Sequence, residues 1–353
     1  MSLADDVGQN AFAVAEGWVL TEKAGASNAA VAQVPPVALD APGRGAVLGS
    51  HGHHMVSLVP ASPAVCDRDT ETLRGNFLRA QAPDGLLVRR IFIKYTTAML
   101  TAEKIAQYHE TGQVTAGFRL DDDVITAIQE RVETLFADRP DLDRDYTPNI
   151  IEVDPAGNWL EFGIQTQILD SIEQLMGENI IIWGSAFFAK KGEGKRSPWH
   201  QDSAYWPIVP MAACTAWIAF DHATLDNGCM RIIPGSHKVD RQLSHIASSA
   251  DDIVLKQELS EHELPDVEPV DVILEPGMVS FHHPYVLHGA EPNTTGKRRG
   301  GLTYRYMPTT SHFDRELEVR MNTQGKAYNA TRQLHLVRGI DVCGLNDVYR
   351  PAA

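Results

Sequence analysis

Positive charge is what this chain has little of: 31 Lys and Arg stand against 46 Asp and Glu, a formal net charge of −15 across 353 residues. A surface that grips nucleic acid needs clustered cations to meet the phosphates. No basic stripe with interleaved aromatics occurs, so nucleic acid is not an expected partner. Cysteine is sparse as well. Cys66, Cys214, Cys229 and Cys343 are scattered with no CxxC pair, which excludes the dense disulfide framework of small secreted domains and fits reduced thiols in a cytoplasmic protein. Nowhere do about 18 apolar residues run together, and the acidic start MSLADDVGQNAFAVAEGW lacks a basic n-region and an apolar h-region. Neither a signal peptide nor a membrane span is expected. What is present, 43% hydrophobic and 22% charged residues, is the balance of a globular protein with a sizeable core.

Residues 1–95 are rich in Ala, Val, Gly and Pro without a sustained period of 3.6 or 2, so a poorly ordered N-terminal extension is expected there. His51, His53 and His54 fall inside it, and a short His-rich linker explains them more simply than a metal site. Residues 96–353 are expected to form one domain. LTAEKIAQYHETGQ predicts a helix opened by Thr101 with Glu103 in its first turn. DDDVITAIQERVETLFADRP predicts a second, with Ile128, Val132, Leu135 and Phe136 on one face and Pro140 as its stop. A third, FGIQTQILDSIEQLMGEN, sets Ile164, Ile168, Ile172, Leu175 and Met176 on one face and ends at Gly177.

From residue 179 the pattern changes to short β-rich runs: IIIWGSAFFAK, CTAWIAFDHA, CMRIIPGSH, VDVILEPGMVSFH and GLTYRYMP, broken by DNG, EPG and NTTG. Short strands at such spacing predict an all-β core with flanking helices, a sandwich or jelly roll over about residues 179–310. Residues 311–353 are too rich in charged and aromatic residues for a simple tail, and are expected to form a clasp or lid at the barrel mouth.

The chemistry concentrates in SPWHQDSAYWPI, where His200 and Asp202 stand two apart, and in LHGAEPN, which holds His288. Residues two apart on a strand share a face, so one strand can aim an imidazole and a carboxylate at one ion while a distant strand adds a second imidazole. Two histidines and a carboxylate form the facial triad of non-heme Fe(II) oxygenases, which leaves coordination positions open for a co-substrate and dioxygen. An HxD pair alone is weak in a chain with 14 histidines. Its surroundings strengthen it: Trp199, Tyr205 and Trp206 flank the pair, and the basic cluster Lys297, Arg298 and Arg299 follows His288.

With these motifs in hand, the chain resembles the phytanoyl-CoA dioxygenase family of Fe(II)- and 2-oxoglutarate-dependent oxygenases. WHQD with its following YWP, the strand CTAWIAFDHATLDNGCMRIIPGSH, and GMVSFHHPYVLHGAEPNTTGKRR carry the likeness, over about residues 100–310. The resemblance implies a double-stranded β-helix, a cupin-like jelly roll, with His200, Asp202 and His288 as iron ligands, 2-oxoglutarate as co-substrate and ascorbate as a candidate reductant. It also implies that Arg299, eleven positions after His288, holds the distal carboxylate of 2-oxoglutarate. A planar guanidinium suits that task, and Arg298 should then face away or make an ion pair. Trp217 matches a tryptophan that walls the co-substrate pocket, with a core tryptophan between the sheets as the alternative. Asn293 is expected to secure the HGxxxN turn, and His283 matches a histidine beside the site. Ala290 stands where many relatives have serine, so Thr303 or Tyr304 is expected to compensate.

The implied activity is oxidation of a C–H bond in a small-molecule substrate, with succinate and CO₂ released. Because Asp202 is present where halogenases of the superfamily have Ala or Gly, hydroxylation or a related oxidation is expected over halogenation. A zinc-dependent hydrolase could use the same three ligands but would not need the arginines. A non-catalytic jelly-roll binding protein is the other rival. The expected substrate is a small polar metabolite, with Tyr205, Trp206, Tyr285 and Arg305 as selecting residues; oligomeric state is not legible.

Overall fold

A computed structural model of the chain describes residues 99–190, 195–255, 257–321 and 330–349, together with three short strands nearer the N-terminus. The chain divides into two units, Met1–Ala98 and Met99–Ala353. In the first, Val47–Leu48, Val56–Pro60 and Leu78–Gln81 pair antiparallel in that order. His51, His53, His54 and Cys66 lie outside the described residues, as does most of the stretch expected to be poorly ordered.

The second unit begins with helices that the sequence foreshadows. Helix α1 (Ala102–Thr111) is capped by Thr101, whose side chain accepts from the Lys104 N–H, and it stops at Gly112, where φ is +84°. Helix α2 (Asp122–Asp138) buries Ile128, Val132, Leu135 and Phe136 as its periodicity predicts. Helix α3 (Thr166–Met176) buries Ile168, Leu169 and Ile172. Ile164 is a correction: a short helical turn, Leu160–Gly163, ends at Gly163, so Ile164 falls before α3 and is 38% exposed.

Eleven strands run along the two main sheets, six of them in the β-rich runs read from the sequence. They are β1 (Gln113–Arg119), β2 (Ile180–Lys190), β3 (Ser197–His200), β4 (Cys214–Ala219), β5 (Met230–Ile232) and β6 (Val270–Val272). After them come β7 (Met278–His282), β8 (His288–Ala290), β9 (Arg299–Pro308), β10 (Leu334–Arg338) and β11 (Val348–Tyr349). One sheet runs β11-β10-β2-β9-β4-β7-β1 and the other β6-β5-β8-β3. Successive strands from β2 to β9 thus alternate between or return across two four-stranded faces, which is the double-stranded β-helix.

Alternation divides each long strand between two environments. On β4, Ala216 and Ile218 join the helices in the main apolar core, together with Leu302, Tyr304 and Tyr306 of β9 and Val279 and Phe281 of β7. Each large apolar side chain so buried contributes about 1.5–3 kcal/mol relative to exposure. The opposite parity, Thr215 and Trp217 of β4 with Thr303 and Arg305 of β9, lines a cavity. A bulge between Arg305 and Tyr306, opposite Gly184, shifts the register of β2 against β9. The C-terminal segment adds β10 beside β2, and a fourth helix, α4 (Arg315–Met321), places Glu318 and Met321 on the cavity wall.

Candidate active site

His200 ends β3, and His288 starts β8 directly opposite it in the antiparallel ladder. The two rings are therefore brought together by adjacent strands of the smaller sheet, with centroids 4.1 Å apart, rather than by opposed sheets. Asp202 lies just past the strand end, at the start of a helical turn spanning Asp202–Tyr205, and the intervening Gln201 keeps extended backbone angles, so the two-residue spacing of a strand still sets the carboxylate beside the His200 ring. Ligating atoms of His200, Asp202 and His288 all lie within 4.8 Å of one another, and all three residues are buried.

The imidazoles are poised to bind an ion. His200 Nδ1 lies 2.7 Å from the Pro198 carbonyl oxygen and His288 Nδ1 lies 3.1 Å from that of Val286. Each carbonyl can only accept, so Nδ1 carries the proton and Nε2 keeps its lone pair for a metal. Burial lowers the pKa of both rings, that of His288 well below the ordinary value, which favours the neutral ligand form. Burial alone would raise the Asp202 carboxyl. A hydrogen bond from His282 and the positive charge of Arg305 outweigh it and hold the group well below the usual carboxylate range. The Thr215 hydroxyl donates to Asp202 Oδ2 at 3.2 Å, and His282 Nε2 stands 3.4 Å from the same oxygen. This donor set of two neutral imidazoles and one carboxylate fits Fe(II).

Arg299 and Trp217 occupy the same cavity, whose volume is about 490 Å³. Arg299 is 3% exposed, and its Nε is buried without a hydrogen-bond partner among the described residues. Its guanidinium carbon lies 5.5 Å from the Trp217 ring, and burial lowers its pKa to about 10. A buried guanidinium in this state fits a carboxylate ligand. Arg298 points the other way, as alternation requires: its Nε is 2.6 Å from Asp221 Oδ2, and its Nη1 pairs with Glu133. Gly301 lies between Arg299 and Thr303, and a Cβ there would strike the Trp217 ring, so glycine gives the indole its place.

Other expectations divide. Asn293 secures its turn by donating to the Lys190 and Lys297 carbonyls and accepting from the Thr295 N–H. Thr303 lines the cavity, with its hydroxyl donating to the Ala186 carbonyl at 3.1 Å. Tyr304 is on the opposite face of β9 and donates to the Trp159 carbonyl in the apolar core, so it cannot stand in for a hydroxyl at Ala290. His282, not His283, faces the triad; His283 packs instead at a tilt against His237, with ring centroids 5.1 Å apart. Tyr205, Trp206 and Arg305 line the cavity, whereas Tyr285 does not. Thr215, Trp183 and Arg332 also face the cavity and escaped the sequence reading; only Thr215 carried a signal, two positions from Trp217 on the same strand.

The sequence model of the family described as Phytanoyl-CoA dioxygenase (PhyH) matches residues 99–301. The chain belongs to the phytanoyl-CoA dioxygenase family. The matched span begins just before α1 and includes every residue of the triad together with Trp217 and Arg299. Within the curated proteins, "Phytanoyl-CoA dioxygenase, peroxisomal" of Homo sapiens is 30% identical over 157 residues, 42% of this chain and 45% of that protein. "Probable alpha-ketoglutarate-dependent hypophosphite dioxygenase" of Stutzerimonas stutzeri is 30% identical over 141 residues, 40% of this chain and 49% of that protein. The chain thus spans about half the length of the curated relatives it matches. A solved structure, "CytC3 with Fe(II) and alpha-ketoglutarate", shares the fold at a TM-score of 0.52 and 22% identity, over 72% of this chain and 94% of that one. Among the described residues of the present chain, no helix is long and apolar enough to cross a membrane.

Proposed function

We propose that this family member is an Fe(II)- and 2-oxoglutarate-dependent dioxygenase that hydroxylates an aliphatic C–H of a small polar metabolite. His200, Asp202 and His288 would hold the iron, and Arg299 with Trp217 would hold 2-oxoglutarate. When bound, iron and 2-oxoglutarate would together convert dioxygen into an oxidant able to remove hydrogen from a C–H bond, with succinate and CO₂ as co-products. The residues supply placement. The Pro198 and Val286 carbonyls fix the two imidazole tautomers, Thr215 and His282 fix the Asp202 carboxylate, and Arg299 offers a fork to the distal carboxylate. The aromatic walls keep bulk water from the reacting centre. The acidic charge balance offers no basic face for the phosphates of a coenzyme A thioester, which favours a smaller substrate.

The observation that carries this reading is the combination of the buried triad with a buried, unneutralised Arg299 in one cavity. A zinc hydrolase would have use for the first but not the second. Oxygen uptake and succinate formation should require both Fe(II) and 2-oxoglutarate, with ascorbate as reductant. Asp202→Gly should nearly abolish hydroxylation, because iron would keep only two protein ligands. Products should gain one oxygen or lose two hydrogens or a methyl group; a chlorinated product, or turnover independent of oxygen, would defeat the assignment.

A further inference from the structure

Two further arginines lie in the cavity, apart from Arg299. Arg305 is on the inward face of β9, six positions further along and thus on the order of 20 Å of strand from Arg299, so the two serve different regions of the site. Arg332 enters from the C-terminal segment, just before β10. They are 7% and 5% exposed, and the Nε of each is buried without a hydrogen-bond partner among the described residues. Their heads come together beside Gly184. A Cβ at residue 184 would lie 2.7 Å from Arg332 Nη1 and 3.7 Å from Arg305 Nη1, so glycine there lets both guanidinium groups converge over the backbone of β2.

Aromatic rings support the pair without neutralising it. The Arg305 and Arg332 guanidinium carbons lie 5.9 Å and 5.3 Å from the Trp183 ring, and Arg305 is also 5.6 Å from Trp206. Glu152 and Glu318 are the acids whose charge reaches Arg332, yet neither guanidinium has a carboxylate within ion-pair distance among the described residues. Burial first, and then the charge of Arg305, lowers the Arg332 pKa to about 10. Two like charges converging in a buried pocket are unfavourable unless an anion joins them.

Building on the dioxygenase reading, we infer that Arg305 and Arg332 form the substrate's anion site, selecting a molecule with a carboxylate or phosphonate head and an apolar body packed against Trp206 and Tyr205. The head would sit between the two guanidinium forks. The body would then extend toward the triad, because Arg305 pairs across the sheet with Thr215, whose hydroxyl reaches Asp202.

Calorimetry on the full chain, loaded with Ni(II) and saturating 2-oxoglutarate so that Arg299 is already engaged, tests this with three matched probes: 3-phenylpropanoate, 2-phenylethylphosphonate and 3-phenylpropanamide. At least one acid should bind about tenfold or more tighter than the amide, and the stronger of the two identifies the head group. Arg305→Gln and Arg332→Gln should each remove most of that advantage while 2-oxoglutarate affinity stays within about threefold. If a Gln variant fails to fold in a thermal melt, the matching Lys variant, which keeps the charge but not the fork, should weaken the acid by about threefold or more and the amide by less. No difference between acids and amide, or a difference that survives the substitutions, overturns the inference. A separate titration of 2-oxoglutarate into the Ni(II)-loaded protein distinguishes the two readings: failure of 2-oxoglutarate to bind the unmodified protein defeats the dioxygenase assignment, while acid selectivity that is lost in the arginine variants, measured without 2-oxoglutarate, would still uphold the anion site.

Discussion

Arg299 is the residue on which the co-substrate assignment turns. A buried guanidinium with no acid beside it is unfavourable in isolation and becomes favourable when a carboxylate arrives. Arg299→Ala should therefore raise the apparent KM for 2-oxoglutarate by an amount equivalent to about 2–5 kcal/mol while iron binding is little changed. Arg298→Ala, which removes a partly buried ion pair with Asp221 on the other face of the strand, should leave that KM in place. Steady-state kinetics on the two variants decides between the neighbours. Lys190, paired with Arg299 across β2 and β9, gives a different signal. Its ammonium donates to the Glu291 carbonyl at 2.7 Å, yet burial, aided by the Arg299 charge, pushes its pKa down to about 6. In the unfolded chain the amine keeps its proton until near 10.5, so between these values the unfolded state binds more protons and stability rises with pH. The denaturation midpoint should climb from about pH 6 to about pH 9, and Lys190→Met should flatten that slope; an equal slope in both proteins would place the titration elsewhere.

At the level of the element, β9 carries much of the site on one face, with Arg299, Thr303 and Arg305 lining the cavity. Gly301 is the gap in that row. Gly301→Ala would drive a methyl into the Trp217 ring, so it should cost on the order of 1–3 kcal/mol of stability and weaken 2-oxoglutarate binding together with it. A lowered melting temperature with unchanged co-substrate affinity would show that Trp217 is only a core residue. Strand alternation made Arg298 and Arg299 separable from the sequence, and local periodicity placed α1 and α2, because those signals are carried by neighbours in the chain. Where a contact depends on register between distant strands, the sequence was silent. Arg332 approaches the Trp183 carbonyl across 149 positions, and it meets Arg305 beside Gly184. The same limit explains His282: in FHHP either histidine could face the metal, and the pairing of β7 with β4, which sets His282 opposite Thr215, decides the parity. Asp202 itself begins a helical turn, but the extended backbone at Gln201 carries the two-residue spacing past the strand end, which is why the HxD pattern foreshadows the convergence.

Considered whole, the chain concentrates its candidate chemistry in one of its two units. The triad, Trp217, Arg299, Arg305 and Arg332 all belong to Met99–Ala353, and the match to the family begins at residue 99. The Met1–Ala98 unit contributes no motif of the site, and its sequence lacks a periodic apolar face able to complete a core. Removing residues 1 to about 90 should therefore leave a protein that unfolds cooperatively, binds iron and forms succinate from 2-oxoglutarate at a rate within about a factor of three of the full chain. Thermal unfolding and succinate release, measured side by side on both lengths, make the comparison. A shortened chain that still melts cooperatively but no longer turns over 2-oxoglutarate would show that turnover needs residues of the first unit.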